Sequence, residues 1–303
     1  MNTILSHDSV SVNNRFGLKP ALLETIIINE KVTYKVHFAM SLSDDDIRKA
    51  GKSGLKFSNG VLVNKRRIFI SDGYSGKMHD MPGCSGFAGN NSLCLQRALN
   101  GHSVCSHCFS LVGLWKSCIP AYTKNDLIFS TEVFQPGDLI LDPRKFPYFR
   151  YSTHGDTINS LHVRNVMVSS MDNPKTQFTI WTKNLKYWVD GLKWFKEEFG
   201  FSHKPSNLFA LYSPLQTDPK PSDIMLKSLK AIDIDAYFGV YETWASQDSA
   251  VARGAKRCLC GLDSCRHYCK FCYDRAVREL SGFADSDKAI WVAEILDGAK
   301  HKE

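Results

Sequence analysis

Residues 177–200 read QFTIWTKNLKYWVDGLKWFKEEFG. The first eight, Gln177–Asn184, have strand composition and run out into a polar end. The remainder reads as a helix. Leu185, Trp188, Val189, Leu192, Phe195 and Phe199 share one face at helical spacing, while Lys186, Lys193 and Lys196 stand elsewhere. A strand feeding a helix is half of a βα repeat, and the pattern recurs on both sides. Upstream, YFRYSTHGD (Tyr148–Asp156) is strand then polar loop, followed by the helical SLHVRNVMVSSM. Downstream, NLFALYSPL (Asn207–Leu215) is strand, DIMLKSLK is helix, and DAYFGVYET (Asp235–Thr243) is strand again.

This alternation predicts an α/β fold whose βα-repeat core builds a parallel sheet, either open or curled into a partial TIM-like barrel. Function in such folds gathers at the C-terminal ends of the strands. Those ends nominate His154, Asp156, Thr182, Lys183 and Glu242 as catalytic candidates, in a polar mouth lined by Trp181 and Trp244. An Asp or His there can orient a ligand or move a proton. The plainer readings are a His-Gly-Asp turn for the first pair and capping for the others.

The chain has 303 residues, 43% of them hydrophobic and 23% charged, enough to bury a core as one domain. Residues 1–72 read as β-rich, with strands at Thr25–Asn29 and Val32–Ala39. Two further strands are expected around Asn64-Lys65, and a short helix from Ser43. Residues 73–135 form a first cysteine-rich segment with a short helix over Asn91–Gly101. Residues 136–257 form the βα core. Residues 258–303 hold a second cysteine-rich segment and C-terminal helices, the last over DSDKAIWVAEILDGAK. The N-terminus lacks a basic region followed by an apolar run, and no stretch is apolar enough to span a bilayer. A cytosolic protein without a membrane partner is expected.

In a reducing compartment, clustered cysteines are metal ligands or catalytic thiols more often than disulfides. The ten cysteines here segregate into two groups. Cys84, Cys94, Cys105, Cys108 and Cys118 form the first, and Cys258, Cys260, Cys265, Cys269 and Cys272 the second. Each contains a C-x2-C pair, whose two sulfurs can reach one ion with little backbone strain. Metal ligands are therefore expected among Cys84, Cys94, Cys105, Cys108, Cys258, Cys260, Cys265, Cys269 and Cys272. Zn2+ asks for four such ligands; a [4Fe-4S] cluster takes four, or three with one iron open. Cys265, Cys269 and Cys272, with Phe271, spell the signature of enzymes that cleave S-adenosylmethionine. In that superfamily the signature follows the first barrel strand, whereas here only residues 273–303 follow it. Iron and zinc both stay open, and S-adenosylmethionine is a candidate cofactor only with iron. His102, His107 and His267 are alternative ligands beside the cysteines.

The net charge of +7 permits a nucleic-acid partner without demanding one, so a small-molecule substrate and a nucleic acid both remain in view. Tyr187 and Trp194 beside Lys183, Lys186 and Lys193 could stack bases, or could simply pack.

SVCSHCFS (Ser103–Ser110), FRYSTHGD (Phe149–Asp156), FTIWTKN (Phe178–Asn184) and the closing C-x3-C-x2-C together resemble the phage gene product 88 family. Phe109 stands where Tyr is common in that family. The resemblance runs in order from about Cys84 to Tyr273. It carries Cys105 and Cys108 onto the first cysteine element, His154, Gly155 and Asp156 onto the strand-end Gly-Asp, and Cys265, Cys269 and Cys272 onto the tail. It implies a phage-encoded protein of the host cytosol, with a distant analogy to radical enzymes and no particular reaction. One further expectation follows from the parallel sheet. If both cysteine groups meet at the strand ends, Cys108 and Cys272 must lie on one face of the fold.

Overall fold

The computed structural model describes residues 3–9, 22–28, 31–37, 68–71, 80–99, 103–112, 118–258, 270–280 and 286–295. The helix expected from Ser43 and the turn at Asn64-Lys65 lie outside the described residues, as do Cys260, Cys265, Cys269, His102 and His267.

Near the N-terminus β1 (Thr3–Ser9), β2 (Leu22–Ile28) and β3 (Lys31–His37) pair antiparallel in that order. The main body follows. Its first cysteine-rich part holds β4 (Gly83–Cys84), α1 (Ser92–Leu99), a 3-10 turn over Val104–His107, α2 (Phe109–Val112) and α3 (Ile119–Thr131). Then come the alternating units: β5 (Tyr148–Tyr151), α4 (Ser160–Asp172), β6 (Gln177–Thr182), α5 (Leu185–Phe199), β7 (Leu208–Tyr212), α6 (Asp223–Ala231), β8 (Ala236–Tyr241) and α7 (Trp244–Ala252). The chain ends with β9 (Lys256–Arg257), α8 (Arg275–Leu280) and β10 (Ile290–Ile295).

The boundaries have local causes. In the opening stretch, Asn184 accepts the Tyr187 N–H at 3.3 Å and so satisfies one of the free donors at the start of α5. Gly200 ends α5 in the left-handed region, at φ 71°, where a side chain would be strained. Between these ends Trp188, Leu192 and Phe195 are buried, and the Trp188 indole donates to Ile232 O at 2.7 Å. Val189, expected on the same face, is instead 39% exposed because it stands at the solvent edge of the stripe.

Seven strands form one all-parallel sheet in the order β4-β5-β6-β7-β8-β10-β9. The parallel sheet is therefore as expected, and it is open, with two-residue strands at both edges. It also reaches beyond residues 136–257, because β4 comes from the first cysteine-rich segment and β10 from the last. The expected final helix is corrected to this strand. Ile290–Ile295 pairs along its whole length with Ala236–Tyr241. Ile290 and Val292 turn to one face of the sheet, and Trp291 and Ala293 to the other. A strand buried on both faces reads as one continuous apolar run, which resembles a buried helix.

From β4 to β8 each new strand is added on the same side of the last. Right-handed crossovers then place α4, α5 and α6 on one face. The cores agree. One unites strand residues Phe149, Tyr151, Phe178, Ile180, Leu208 and Ala210 with Val163, Val166 and Met167 of α4, Trp188, Leu192 and Phe195 of α5, and Leu226 and Leu229 of α6. The opposite face carries Phe209, Leu211, Phe238, Val240, Ile290 and Val292, and it is covered by Phe271, Cys272 and Tyr273 of the tail. Among the described residues no helix is long and apolar enough to cross a membrane.

Candidate functional site

The C-terminal ends of β5, β6 and β7 meet α1 and the Val104–Cys108 segment. At the centre is Asp156, 7% exposed. Its Oδ1 accepts the Thr157 N–H at 2.7 Å and the Thr182 hydroxyl at 2.9 Å. Its Oδ2 accepts the Lys183 N–H at 2.8 Å and pairs with the Arg97 guanidinium at 3.4 Å. With the Thr157 hydroxyl also donating to Oδ1 at 3.3 Å, five donors converge on the two oxygens. Asp156 ties the end of β5 to the end of β6 and holds Arg97, which is a positioning role.

α1 approaches this carboxylate with one face. Asn91, Cys94 and Arg97 lie three residues apart, so they line up along the helix. Asn91 donates to Asp156 O and Thr157 O at 3.1 and 3.2 Å, and Arg97 also donates to Lys183 O at 3.3 Å. Cys94 is thereby held beside Asp156. Burial pushes its thiol well above the ordinary value; Asp156, Cys105 and Cys108 add to the rise and Arg97 opposes it. Cys108 is also raised by burial and by Cys105, but the Leu111 and Ser110 N–H groups and Lys183 pull it back. These are the donors that favour a thiolate. The Lys183 Nζ donates to the Ser213 hydroxyl at 3.1 Å.

His154 lies at the rim of the same region. Its Nδ1 shares a hydrogen bond with the Ser110 hydroxyl at 2.9 Å, and its N–H donates to the Ser85 hydroxyl at 3.2 Å. Burial, aided by Arg150, lowers its pKa to about 4, so the imidazole is neutral at pH 7. Gly155, at φ 74°, brings this loop against Gly86, where a Cβ would sit 3.2 Å from Gly86 O.

Four of the five catalytic candidates, His154, Asp156, Thr182 and Lys183, thus belong to one neighbourhood. Glu242 does not join them: it is exposed, at the end of β8, and accepts the Thr217 hydroxyl at 2.7 Å. Thr243 caps α7 through a reciprocal pairing with Ser246. Trp181 turns onto the tail-covered face, with the Arg150 guanidinium 4.1 Å above its ring and Phe238 4.1 Å away. Tyr187 packs on the helix-side core and Trp194 lies 6.0 Å from the Arg164 guanidinium, which leaves the packing role for both.

The cysteines divide. Cys94, Cys105 and Cys108 are neighbours at the strand ends. Cys84 lies on the helix side of β4 among Ile128, Phe129 and Tyr151, and burial followed by Asp126 raises its thiol well above the ordinary value. Cys118 packs near Phe87 and Tyr122. Cys272 is buried in the tail-side core, and Cys258 packs against that same core, as does Val104, the residue before Cys105. Val104, beside Cys105, and the tail therefore meet the same face of the sheet, whereas Cys84 is on the other. Among the described residues no three His, Cys, Asp or Glu side chains are arranged to hold a metal ion. The thiols near Asp156 are neighbours, not a closed chelate.

Arg97, Asn91, Ser110 and Ser213 were not among the candidates read from the sequence. The first two carried a usable signal, their three-residue spacing to Cys94 on a predicted helix; the two serines carried none. No protein-family model, curated protein or solved structure matches this chain.

Proposed function

We propose that this is a metal–thiolate protein whose centre stands at the C-terminal ends of β5–β7 and holds an iron–sulfur cluster through Cys94, Cys105 and Cys108. The observation that carries the reading is the convergence of these three thiols beside Asp156, Arg97 and Lys183, at the end of a parallel sheet where such folds place their chemistry. The donor set suits the group. Thiols are soft ligands, and three of them leave one position of a four-iron cluster for another ligand or a substrate. The raised pKa values of Cys94 and Cys108 belong to thiols without a cation; a bound metal ion would reverse that balance. When bound, a cluster of this kind supplies electron transfer or Lewis acidity.

The residues around it have separable tasks. Asp156 fixes the two strand ends and Arg97. Lys183 sets positive charge beside Cys108, and neutral His154, hydrogen-bonded to Ser110, can accept a proton or a metal ion. Resemblance to the gene product 88 family supports a phage-encoded protein acting in the host cytosol. The shared face of the Val104–Cys108 segment and the tail supports contributions from both cysteine groups.

The test is elemental analysis of protein purified without oxygen, with its visible spectrum. Iron and acid-labile sulfide in cluster proportion, with a brown colour, are expected. A colourless protein carrying stoichiometric zinc overturns the iron reading and makes the site structural, in a protein whose partner could then be a nucleic acid.

A further inference from the structure

On the helix side of the sheet, away from the thiols, α6 and α7 leave a groove of about 410 Å³ over the start of β10. That size falls within the range of about 300–1,000 Å³ typical of small-molecule sites. Its floor includes the indole of Trp291, and Leu226 of α6 lines one wall. Its polar lining is cationic: Lys220 before α6, Arg253 at the end of α7 and Lys288 before β10 stand against one carboxylate, Asp223. Asp223 is already taken, accepting Lys288 Nζ at 2.8 Å. Lys220 and Arg253 make no ion pair among the described residues. Arg253 donates to Ser249 O at 3.0 Å and leans 5.8 Å from the centre of the Trp291 ring. Cations beside an indole give the groove partners for an anion and for a flat ring at once.

We infer that this groove binds a nucleotide, its base against the Trp291 indole and its phosphates between Lys220, Arg253 and Lys288. None of these residues belongs to the thiol site, so the inference stands apart from the metal reading. A bare phosphate would use the cations alone and a nucleoside the ring alone; the lining offers both.

The experiment is a titration of the full chain with ADP, followed calorimetrically and by tryptophan fluorescence. Adenosine and inorganic pyrophosphate are run beside it. Saturable binding of ADP that weakens with salt is expected, tighter than either fragment. Lys220→Glu and Arg253→Glu should each weaken it roughly tenfold or more, about the loss of one charge-assisted contact. Both side chains are exposed, and unchanged circular dichroism verifies the fold. Trp291→Phe should abolish the fluorescence response. Absence of saturable binding at millimolar ADP overturns the inference. So does an affinity unmoved by the charge reversals, or pyrophosphate binding as tightly as ADP.

Discussion

Cys84 and Cys94 sit close in the chain but have opposite surroundings. Cys84 is 4% exposed, in a two-residue strand packed between α3 and β5, and its nearest charged influence is a buried carboxyl. Cys94 stands on the face of α1 that carries Asn91 and Arg97, within the field of two further thiols. The metal reading therefore predicts unequal consequences. Cys94→Ser, Cys105→Ser and Cys108→Ser should each remove most of the bound metal from protein purified without oxygen. Cys84→Ala should keep the metal at wild-type stoichiometry and lower the unfolding free energy by about 1 kcal/mol, the scale of one small group lost from a packed core. Metal analysis of the four variants, with urea unfolding of the last, decides it. Asp156 makes a second residue-scale case. Asp156→Asn retains shape but loses the charge that pairs with Arg97. With Arg97 left without its carboxylate, stability should fall by about 2 kcal/mol or more in urea unfolding. Asp156→Asn should also lower metal retention, since Arg97 and the end of β6 no longer have a fixed anchor beside Cys94.

At the scale of elements, the strands and helices between Tyr148 and Tyr241 are legible from their alternation and polar ends, and α5 also from its period. α4, with Leu161 through Ser170 all buried, has no stripe and is legible from its place between two strands. The α5 stripe and the caps at Asn184 and Gly200 are the clearest example. Two elements escaped that logic. In α3, Ala121, Tyr122, Thr123, Asn125, Asp126, Ile128, Phe129 and Ser130 are all buried, so no stripe marks a face. Its polar side chains instead hold loops: Asn125 donates to Phe69 O and Ser85 O at 2.9 Å each, and Asp126 accepts the Phe87 N–H at 2.9 Å. β10 was mistaken for a helix because both of its faces are covered. The strand-end residues of the site were legible for the same reason as the strands. Their partners were not, since Arg97 and Asp156 meet only through the tertiary fold. The α4–α5 contact offers an element-scale test. Gly191 lies against α4, where a Cβ would fall 2.6 Å from both Ser160 O and Val163 Cβ. Gly191→Ala should push the two helices apart and cost about 1–3 kcal/mol in urea unfolding, the usual cost of overpacking. Val189→Ala, on the exposed side of the same helix, should be nearly neutral.

For the whole molecule, the one-sided winding of the sheet puts α4, α5 and α6 on one face and leaves the other to Val104 and the tail, while buried titratable groups gather near β4–β5. Three of them set the response to acid. His162, on α4 against Phe129, is lowered by burial from 6.5 to about 3. His154 is lowered from 6.5 to about 4. Asp126 is raised by burial from 3.8 to about 7. The signs oppose. A histidine depressed in the fold is protonated first in the unfolded chain, so its contribution is present above pH 6.5 and is lost as pH falls toward the folded value. A carboxyl raised in the fold favours the folded state at low pH, and that contribution is lost as pH rises from 3.8 to about 7. Between pH 4 and 6.5, His162 and Asp126 act over the same span and nearly cancel. His154 is left to decide the direction, and stability should fall by about 3 kcal/mol on acidification across that window. Urea unfolding at a series of pH values checks this. His154→Gln should flatten the profile. Asp126→Asn should steepen the acid loss and raise stability above pH 7, because the penalty for ionising a buried carboxyl is gone. A wild-type profile that rises toward pH 4 would contradict the assignment of these three groups.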